Sequence, residues 1–531
     1  MTPRWAVAAP WLVAAASGFA LFAASAPLGW WQASLVHAPV LIAAMWLGEH
    51  VDGSLTRGRA AALGAVAGAV AFGPMLSWLV APAGPLAFGL LVGVQVAWYA
   101  LLAAVVAPWR RHRALPVIAA VVWTGVDAWR SIFPLNGFEW GAIPYSHVDG
   151  SWLLPVARVL GGRGITLFAV AIGVAALVVG RAFWVITRHR DWSSTEGMLT
   201  AERSSVAQLA GALLLSAVVV TAPPPSTGTM DIIVAQGHDV EFWSSPVPNL
   251  ALHVARGQRH QTLEAIGDGP LPDLVVWPEN AIDRDPTTTR GQELADIIDE
   301  VAGHAGELIT GTTLDGPDPS RNRYVAASRY VEGFGEVERY TKRRLVPFGE
   351  YVPLRRYLDW IPRLEQVPRD AIPGDGPQVM TTATGVPVAV VICFETLFAE
   401  LVRTNVLAGD EPAQLILAIT NDAAFRVTAE PDQHLAQSRL RAVETGRWVV
   451  HGALSGSSAF VDPDGVVHDA TALFAADAIR RDVPLVSGLT PYLRVGDLLG
   501  LVTRGLVVVA AAIGVAGWSH ERRAGTGRGR R

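Results

Sequence analysis

Pro387-Val388-Ala389-Val390-Val391-Ile392-Cys393-Phe394-Glu395-Thr396 is a short apolar run rich in β-branched residues. That pattern predicts a buried strand. It ends on Cys393, the only cysteine among 531 residues, and Leu397, Leu401 and Val402 then carry the spacing of a helix. A lone thiol therefore stands where a strand gives way to a helix. Two readings are open at this point. Free cysteine is among the most buried residue types and often serves as a small hydrophobe. A thiol beside a base or a cation is instead a nucleophile.

Outward from this run the composition changes character. Hydrophobic residues make up 51% of the chain and charged residues 17%, with a mean hydropathy of +0.33. A bilayer core takes about 20 mainly apolar residues per helix. Seven such segments precede residue 223, at roughly 5–25, 28–48, 59–80, 85–107, 114–131, 164–186 and 206–222, and an eighth lies at about 498–518. Arg57 and Arg59, then Arg110, Arg111 and Arg113, then Arg188, Arg190 and Arg203, fall in alternate loops, and five arginines fill the tail after 521. The intervening loops near 26 and 82 hold no Lys or Arg. The positive-inside rule then predicts cytoplasmic termini and an extracytoplasmic segment 223–495. The aromatic residues Trp140, Tyr145 and Trp152 of the 132–163 loop suit a membrane interface. A net charge of −5 without a basic domain gives no sign of nucleic acid. A single cysteine excludes an internal disulfide and a Cys-rich zinc site, and no metal or cofactor is expected.

Pro223-Pro224-Pro225-Ser226-Thr227-Gly228 marks a boundary. Beyond it, strand-like runs at 231–235, 274–277, 307–313, 323–331, 387–392, 414–420, 448–453 and 457–461 alternate with helical patterns at 250–266, 294–301 and 433–446. Such alternation predicts a layered α/β domain.

Two further polar residues stand at the ends of strand-like runs. Glu279 follows Val275-Val276-Trp277-Pro278, and Lys342 lies in Tyr340-Thr341-Lys342-Arg343-Arg344-Leu345-Val346-Pro347-Phe348-Gly349-Glu350. Singly, each has an ordinary structural reading, a helix-start carboxylate and a solvated basic face. Together with Cys393 their chemistry is complementary. A carboxylate can take the thiol proton, and an ammonium can stabilise both a thiolate and an oxyanion. Backbone N–H groups after Cys393 could complete the oxyanion site. His238, His434 and His451 lie near strand ends but in no recognised hydrolase motif.

These residues resemble the Glu, Lys and Cys signatures of the nitrilase (carbon-nitrogen hydrolase) superfamily. The run from Lys342 through Glu350 to Pro353 is similar to that of the apolipoprotein N-acyltransferase family. Thr420-Asn421-Asp422-Ala423, Gln437 to Glu444 and Gly488-Leu489-Thr490-Pro491-Tyr492 agree with it. The resemblance implies a multi-pass α-helical membrane bundle plus an α/β nitrilase-like αββα sandwich domain. The expected divisions are a membrane domain at 1–222, a catalytic domain at 230–487, an eighth transmembrane helix at 498–518 and a basic cytoplasmic tail at 519–531. It implies acyl transfer from a membrane phospholipid to the α-amino group of S-diacylglyceryl-cysteine in an apolipoprotein, through a thioester, at the bacterial plasma membrane. Glu279 would be the base, Lys342 the oxyanion and thiolate stabiliser, and Cys393 the nucleophile. Glu350 and Glu395 would support them, and Arg343, Phe394, Asn421 and Ala424 would line the substrate site. The chain departs from the family pattern at Phe394, where many members carry Tyr, and at Ala424, where many carry an aromatic residue. Trp243 falls in a region that aligns only loosely with a pocket tryptophan. Two other readings of the same residues are a membrane-bound amidohydrolase and a degenerate scaffold for a membrane partner.

Overall fold

A computed structural model describes residues 4–189, 195–237, 247–358, 364 and 367–528. The chain divides into a helical unit, residues 1–80, 84–221 and 497–531, and an α/β unit comprising 222–496 with 81–83.

In the helical unit, helices cover all eight expected segments: Arg4–Ala24, Gln32–Asp52, Arg57–Met75, Val80–Val106, Leu115–Arg130, Ala157–His189, Thr195–Val218 and Leu498–Arg528. Among the described residues, five spans are long and apolar enough to cross a membrane: Ala6–Ala24, Gln32–Asp52, Arg57–Met75, Ser77–Trp109 and Leu154–Trp184. The remaining apolar helices, Leu115–Arg130, Arg203–Val218 and Leu498–Gly514, are shorter. The chain is thus a multi-pass membrane protein. Leu12, Leu86, Leu90, Phe183 and Leu214 are exposed on these helices, as expected where lipid replaces water. Helices approach closely at small residues. A Cβ on Gly64 would lie 2.3 Å from the Tyr99 carbonyl oxygen. Arg130 is buried and pairs with Asp127 at 2.8 Å and Gln95 at 2.8 Å, as a charge inside such a bundle requires. In the 132–163 loop Trp152 is exposed, but Trp140 and Tyr145 are buried. Trp140 stacks on Phe138 and packs against Trp78 rather than standing at an interface.

Among the described residues, the α/β unit holds thirteen strands in two sheets. They are β1 Ser226–Gln236, β2 Leu274–Ile282, β3 Glu307–Asp315, β4 Asn322–Val331, β5 Gly335–Thr341, β6 Asp370–Ala371, β7 Val379–Thr381, β8 Pro387–Ile392, β9 Leu415–Thr420, β10 Val449–Ala453, β11 Ala459–Val461, β12 Val467–His468 and β13 Asp477–Val486. One sheet runs β13-β1-β2-β3-β4-β5 with β6 beside β4, and the other runs β12-β11-β10-β9-β8-β7. The centre of each is parallel, β1-β2-β3 in one and β8-β9-β10 in the other.

Alternation along the strands builds the layers. Ile232 and Val234 of β1 and Leu274 and Val276 of β2 share one core with Val388, Val390 and Ile392 of β8 and Leu415, Leu417 and Ile419 of β9. Ile233, Val275 and Trp277 face the other way, onto helices Leu250–Ile266 and Gln292–Ala305. Helices Ala399–Val406 and Glu430–Thr445 pack on the second sheet. Strands buried on both faces read as unbroken apolar runs, which is why β8 and β9 are legible in sequence. The result is an αββα sandwich whose β8 and β9 deliver Cys393 and Asn421 at their carboxyl ends.

Candidate active site

Cys393 follows the last residue of β8 and adopts φ +50°, in the left-handed region. For a residue with a side chain this costs on the order of 1–3 kcal/mol, and it persists only where the surroundings over-determine it. Here they do. Glu395 Oε2 accepts from the Ile392 N–H at 2.9 Å, and Thr396 Oγ1 donates to the Cys393 carbonyl at 2.9 Å. The single helix expected after the cysteine is two pieces. A 3₁₀ turn runs Cys393–Leu397, Phe398 is extended, and an α-helix runs Ala399–Val406.

The Cys393 side chain is half-buried and packs against the inter-sheet core. Burial pushes its thiol well above the ordinary range, and the charges of Glu279 and Asp422 push the same way. Lys342 and a hydrogen bond from Thr420 pull it back. The resting group is therefore a thiol that needs a base.

Lys342 follows β5, and its backbone is fixed on both sides. Its N–H donates to the Val325 carbonyl at 2.8 Å, and its carbonyl accepts from Gly374 at 3.0 Å. The side chain is fully buried. Nζ donates to Glu279 Oε1 at 2.9 Å and to Glu350 Oε1. Burial alone would disfavour the ammonium, but Glu279, Glu350 and Cys393 outweigh it and hold Lys342 well above its ordinary value. Glu350 is anchored in turn, Oε2 accepting from Val346 N–H at 2.8 Å.

Glu279 lies inside β2 rather than at its end. The ladder with β3 is interrupted between Trp277 and Ile282, and Asn280 takes φ +58°. This irregularity turns the carboxylate toward Lys342. Oε2 accepts from the Asn421 N–H at 3.1 Å. Burial raises the Glu279 carboxyl and the Glu350 and Asp422 charges add to that, while Lys342 opposes them. A carboxylate raised in this way is a better proton acceptor. The neighbouring strand makes room with glycine. A Cβ on Gly311 would meet the Pro278 carbonyl oxygen at 2.4 Å and Glu279 Cα at 2.5 Å. Gly311→Ala is expected to cost about 1–3 kcal/mol through overpacking, read by thermal melting. It should also displace Glu279 and lower the reactivity of Cys393. A variant that melts and reacts like the wild type would remove this role for the glycine.

The remaining expected residues divide. Glu395 is fully buried and binds the lysine loop to the cysteine turn. Besides Ile392, it accepts from the N–H groups of Arg343 at 2.7 Å and Arg344 at 3.1 Å and from Tyr340 Oη at 3.0 Å. Arg343 turns its guanidinium to Thr404 Oγ1 at 3.2 Å and Asn405 Oδ1 on helix Ala399–Val406. Its neighbour Arg344 lies over the Phe398 ring at 5.2 Å, and Phe398 packs edge-on against Phe394 at 4.9 Å. Asn421 joins the carboxylate through its backbone, and its side chain donates to Asn280 Oδ1 at 3.2 Å. Ala424 is exposed in the short turn Ala423–Phe425. Trp243 and His238 lie outside the described residues.

Beneath the cysteine turn stands a polar group that motif reading passed over. His434 is buried, with Asp422, Glu430, Thr396 and Thr420 around it. Its only signal in sequence is its place three residues before Gln437. Among the described residues Asp422, Glu430 and His434 could offer a cation three ligand atoms within 4.8 Å of one another. Both ring nitrogens of His434 already face protein oxygens, however. Burial, then the Asp422 and Asp432 charges, push the Glu430 carboxyl well above its ordinary range.

Comparison with known proteins places this geometry. A family model described as apolipoprotein N-acyltransferase N-terminal domain matches residues 17–175, and one described as carbon-nitrogen hydrolase matches 264–486. Apolipoprotein N-acyltransferase from Pseudomonas paraeruginosa is 30% identical, covering 98% of this chain and 99% of its own. The protein of that name from Pseudomonas syringae pv. tomato is 28% identical, covering 92% and 94%. Among solved structures, a mutant amidase of the nitrilase superfamily from Nesterenkonia AN1 aligns at 20% identity and TM-score 0.37, covering 51% of this chain and 96% of its own. With its identity to full-length relatives and matches in both units, the chain belongs to the apolipoprotein N-acyltransferase family.

Proposed function

We propose that the chain N-acylates lipoproteins, taking an acyl group from a membrane phospholipid through a thioester on Cys393. The observation that carries this is the buried Glu279–Lys342–Glu350 bridge, of which Glu279 and Lys342 act on a thiol held in a left-handed turn. Glu279 takes the thiol proton as sulfur attacks the ester carbonyl of the phospholipid. Lys342 Nζ meets the oxyanion of the tetrahedral intermediate. Collapse breaks the ester C–O bond, and Glu279 returns the proton to the departing lysophospholipid hydroxyl. The free α-amine of the diacylglyceryl-cysteine then attacks the thioester, Glu279 removes its proton, and the amide forms as the Cys393 thiol is regenerated. A helical membrane anchor supports this reading, because donor and acceptor both lie in the bilayer and anchoring the thiol there supplies proximity.

Purified protein mixed with phospholipid alone should gain the mass of one acyl chain at Cys393, and Cys393→Ala should gain none. No adduct on the wild type, or an equal adduct on both, would sink the reading. Ammonia release from simple amides without lipid would replace it with an amidohydrolase.

The topology proposed with it has eight crossings, with residues 230–487 extracytoplasmic and both ends, including the 519–531 tail, cytoplasmic. The arginines of alternate loops support it. Green fluorescent protein fused after Arg531 should fluoresce and alkaline phosphatase fused there should stay inactive; the reverse pattern would invert the orientation.

A further inference from the structure

The carbonyl of Cys393 and the N–H of Phe394 belong to one peptide unit, and that unit is held from below by His434. Nε2 of His434 lies 3.1 Å from the Cys393 carbonyl oxygen and 2.9 Å from Thr396 Oγ1. A carbonyl and an ionised carboxylate can only accept, so with Asp422 Oδ1 beside Nδ1 and the Cys393 carbonyl beside Nε2, both ring nitrogens carry hydrogen and donate. The Thr396 hydroxyl donates its one hydrogen to the same carbonyl at 2.9 Å, with Gln437 Oε1 at 3.1 Å also in reach, so it meets the Nε2–H as an acceptor. Its other nitrogen, Nδ1, is 3.2 Å from Asp422 Oδ1, and Thr420 Oγ1 donates to that same oxygen at 2.9 Å. Burial raises Asp422, but its interactions with His434, His451 and Thr420 outweigh this and hold it below the usual carboxylate range. An ionised Asp422 therefore backs the ring. His434, Asp422, Thr396, Thr420 and Gln437 are all buried, and helix Glu430–Thr445 supplies the histidine.

We propose that His434, oriented by Asp422, is a positioning residue that acts through the Cys393–Phe394 peptide. By donating to the Cys393 carbonyl, it fixes the left-handed turn and polarises the peptide, strengthening the Phe394 N–H as a donor to the oxyanion formed on the acyl carbonyl. Hydrogen bonds in a chain polarise one another in a low-dielectric interior, and an oxyanion donor acts mainly on the charge developing in the transition state. The inference rests on the reading of Cys393 as the acyl-carrying nucleophile. It adds a group that touches neither the thiol nor the substrate.

The test compares two reactions of the same thiol in the full-length protein. Acylation by phospholipid passes through an oxyanion, whereas alkylation by iodoacetamide does not. His434→Ala removes the donor, and His434→Gln keeps an amide N–H near the Nε2 position. The expected result is acyl-enzyme formation slowed roughly tenfold in His434→Ala, alkylation within about twofold of wild type, and most of the acylation rate restored in His434→Gln. Melting temperatures confirm that each variant is folded. Wild-type acylation in His434→Ala would overturn the inference alone. So would acylation and alkylation falling together, or a folded His434→Gln as slow as His434→Ala. A wild-type protein that forms no acyl-enzyme would overturn the reading of Cys393 and this inference with it.

Discussion

Lys342→Met is expected to abolish acyl transfer and to lower stability by about 3–5 kcal/mol, the cost of removing one partner from a buried ion pair. The fully buried ammonium now separates Glu279 from Glu350 and donates to both. Methionine matches its length but offers no charge. Two carboxylates then face each other out of water, and one must take up a proton. Glu279, already pushed upward by burial and by Glu350, is the one to do so. Activity is lost by two routes. Loss of the oxyanion donor costs about 10²–10³-fold, and a protonated Glu279 no longer accepts from the thiol. Adding Glu279→Gln to Lys342→Met separates the effects. The double variant should regain part of the lost stability in a thermal or denaturant melt, since one buried charge is gone, and none of the lost activity. A single variant that transfers acyl groups at near wild-type rate would remove Lys342 from the reaction.

Glu279→Gln alone is expected to slow acyl-enzyme formation by about 10²–10⁴-fold, the usual worth of a general base. Shape is nearly unchanged and the amide oxygen still accepts from Lys342. The second oxygen, which accepts from the Asn421 N–H at 3.1 Å, becomes an amide nitrogen. One buried donor loses its partner, at about 1–3 kcal/mol. The pH dependence carries the sharper signal. Burial holds the Cys393 thiol well above its ordinary value. Without a base, the reactive thiolate appears only as pH rises into the alkaline range. The residual rate of Glu279→Gln should therefore climb with pH where the wild-type rate has levelled. A flat profile parallel to wild type, measured by acyl-enzyme formation across pH, would assign the proton to another group.

The two units of the chain differ in how legible they are. Helices were readable because a bilayer demands long apolar runs, and all eight segments carry helix. Their boundaries moved most where polar residues join the helix, as at Thr195–Val218, which begins eleven residues before the apolar run. Among the described residues, five of them satisfy a span by length and composition. The strands β8 and β9 and the start of β2, Leu274 to Trp277, were readable because burial on both faces makes them apolar runs. Cys393, Lys342 and Glu279 were legible as a set because their chemistries complement one another at comparable places along such strands.

Arg343 shows the limit. Its charge suggested a ligand, and in the fold its Nη2 donates to Thr404 and Asn405, some sixty residues away. No local pattern announces such a partner. His434 shows the converse, since a histidine in no motif stands under Cys393.

Sequence by itself determined the membrane helices, the apolar strands and the residue types able to acylate a thiol, because each follows from local composition and period. Only the tertiary structure decided that Lys342 bridges two carboxylates, that Gly311 opens the space in which β2 turns Glu279, and that the cysteine turn is held from both sides. Those relations join residues distant along the chain. They depend on the sheets being packed, since hydrogen bonds and charges acquire their strength only where water has been excluded.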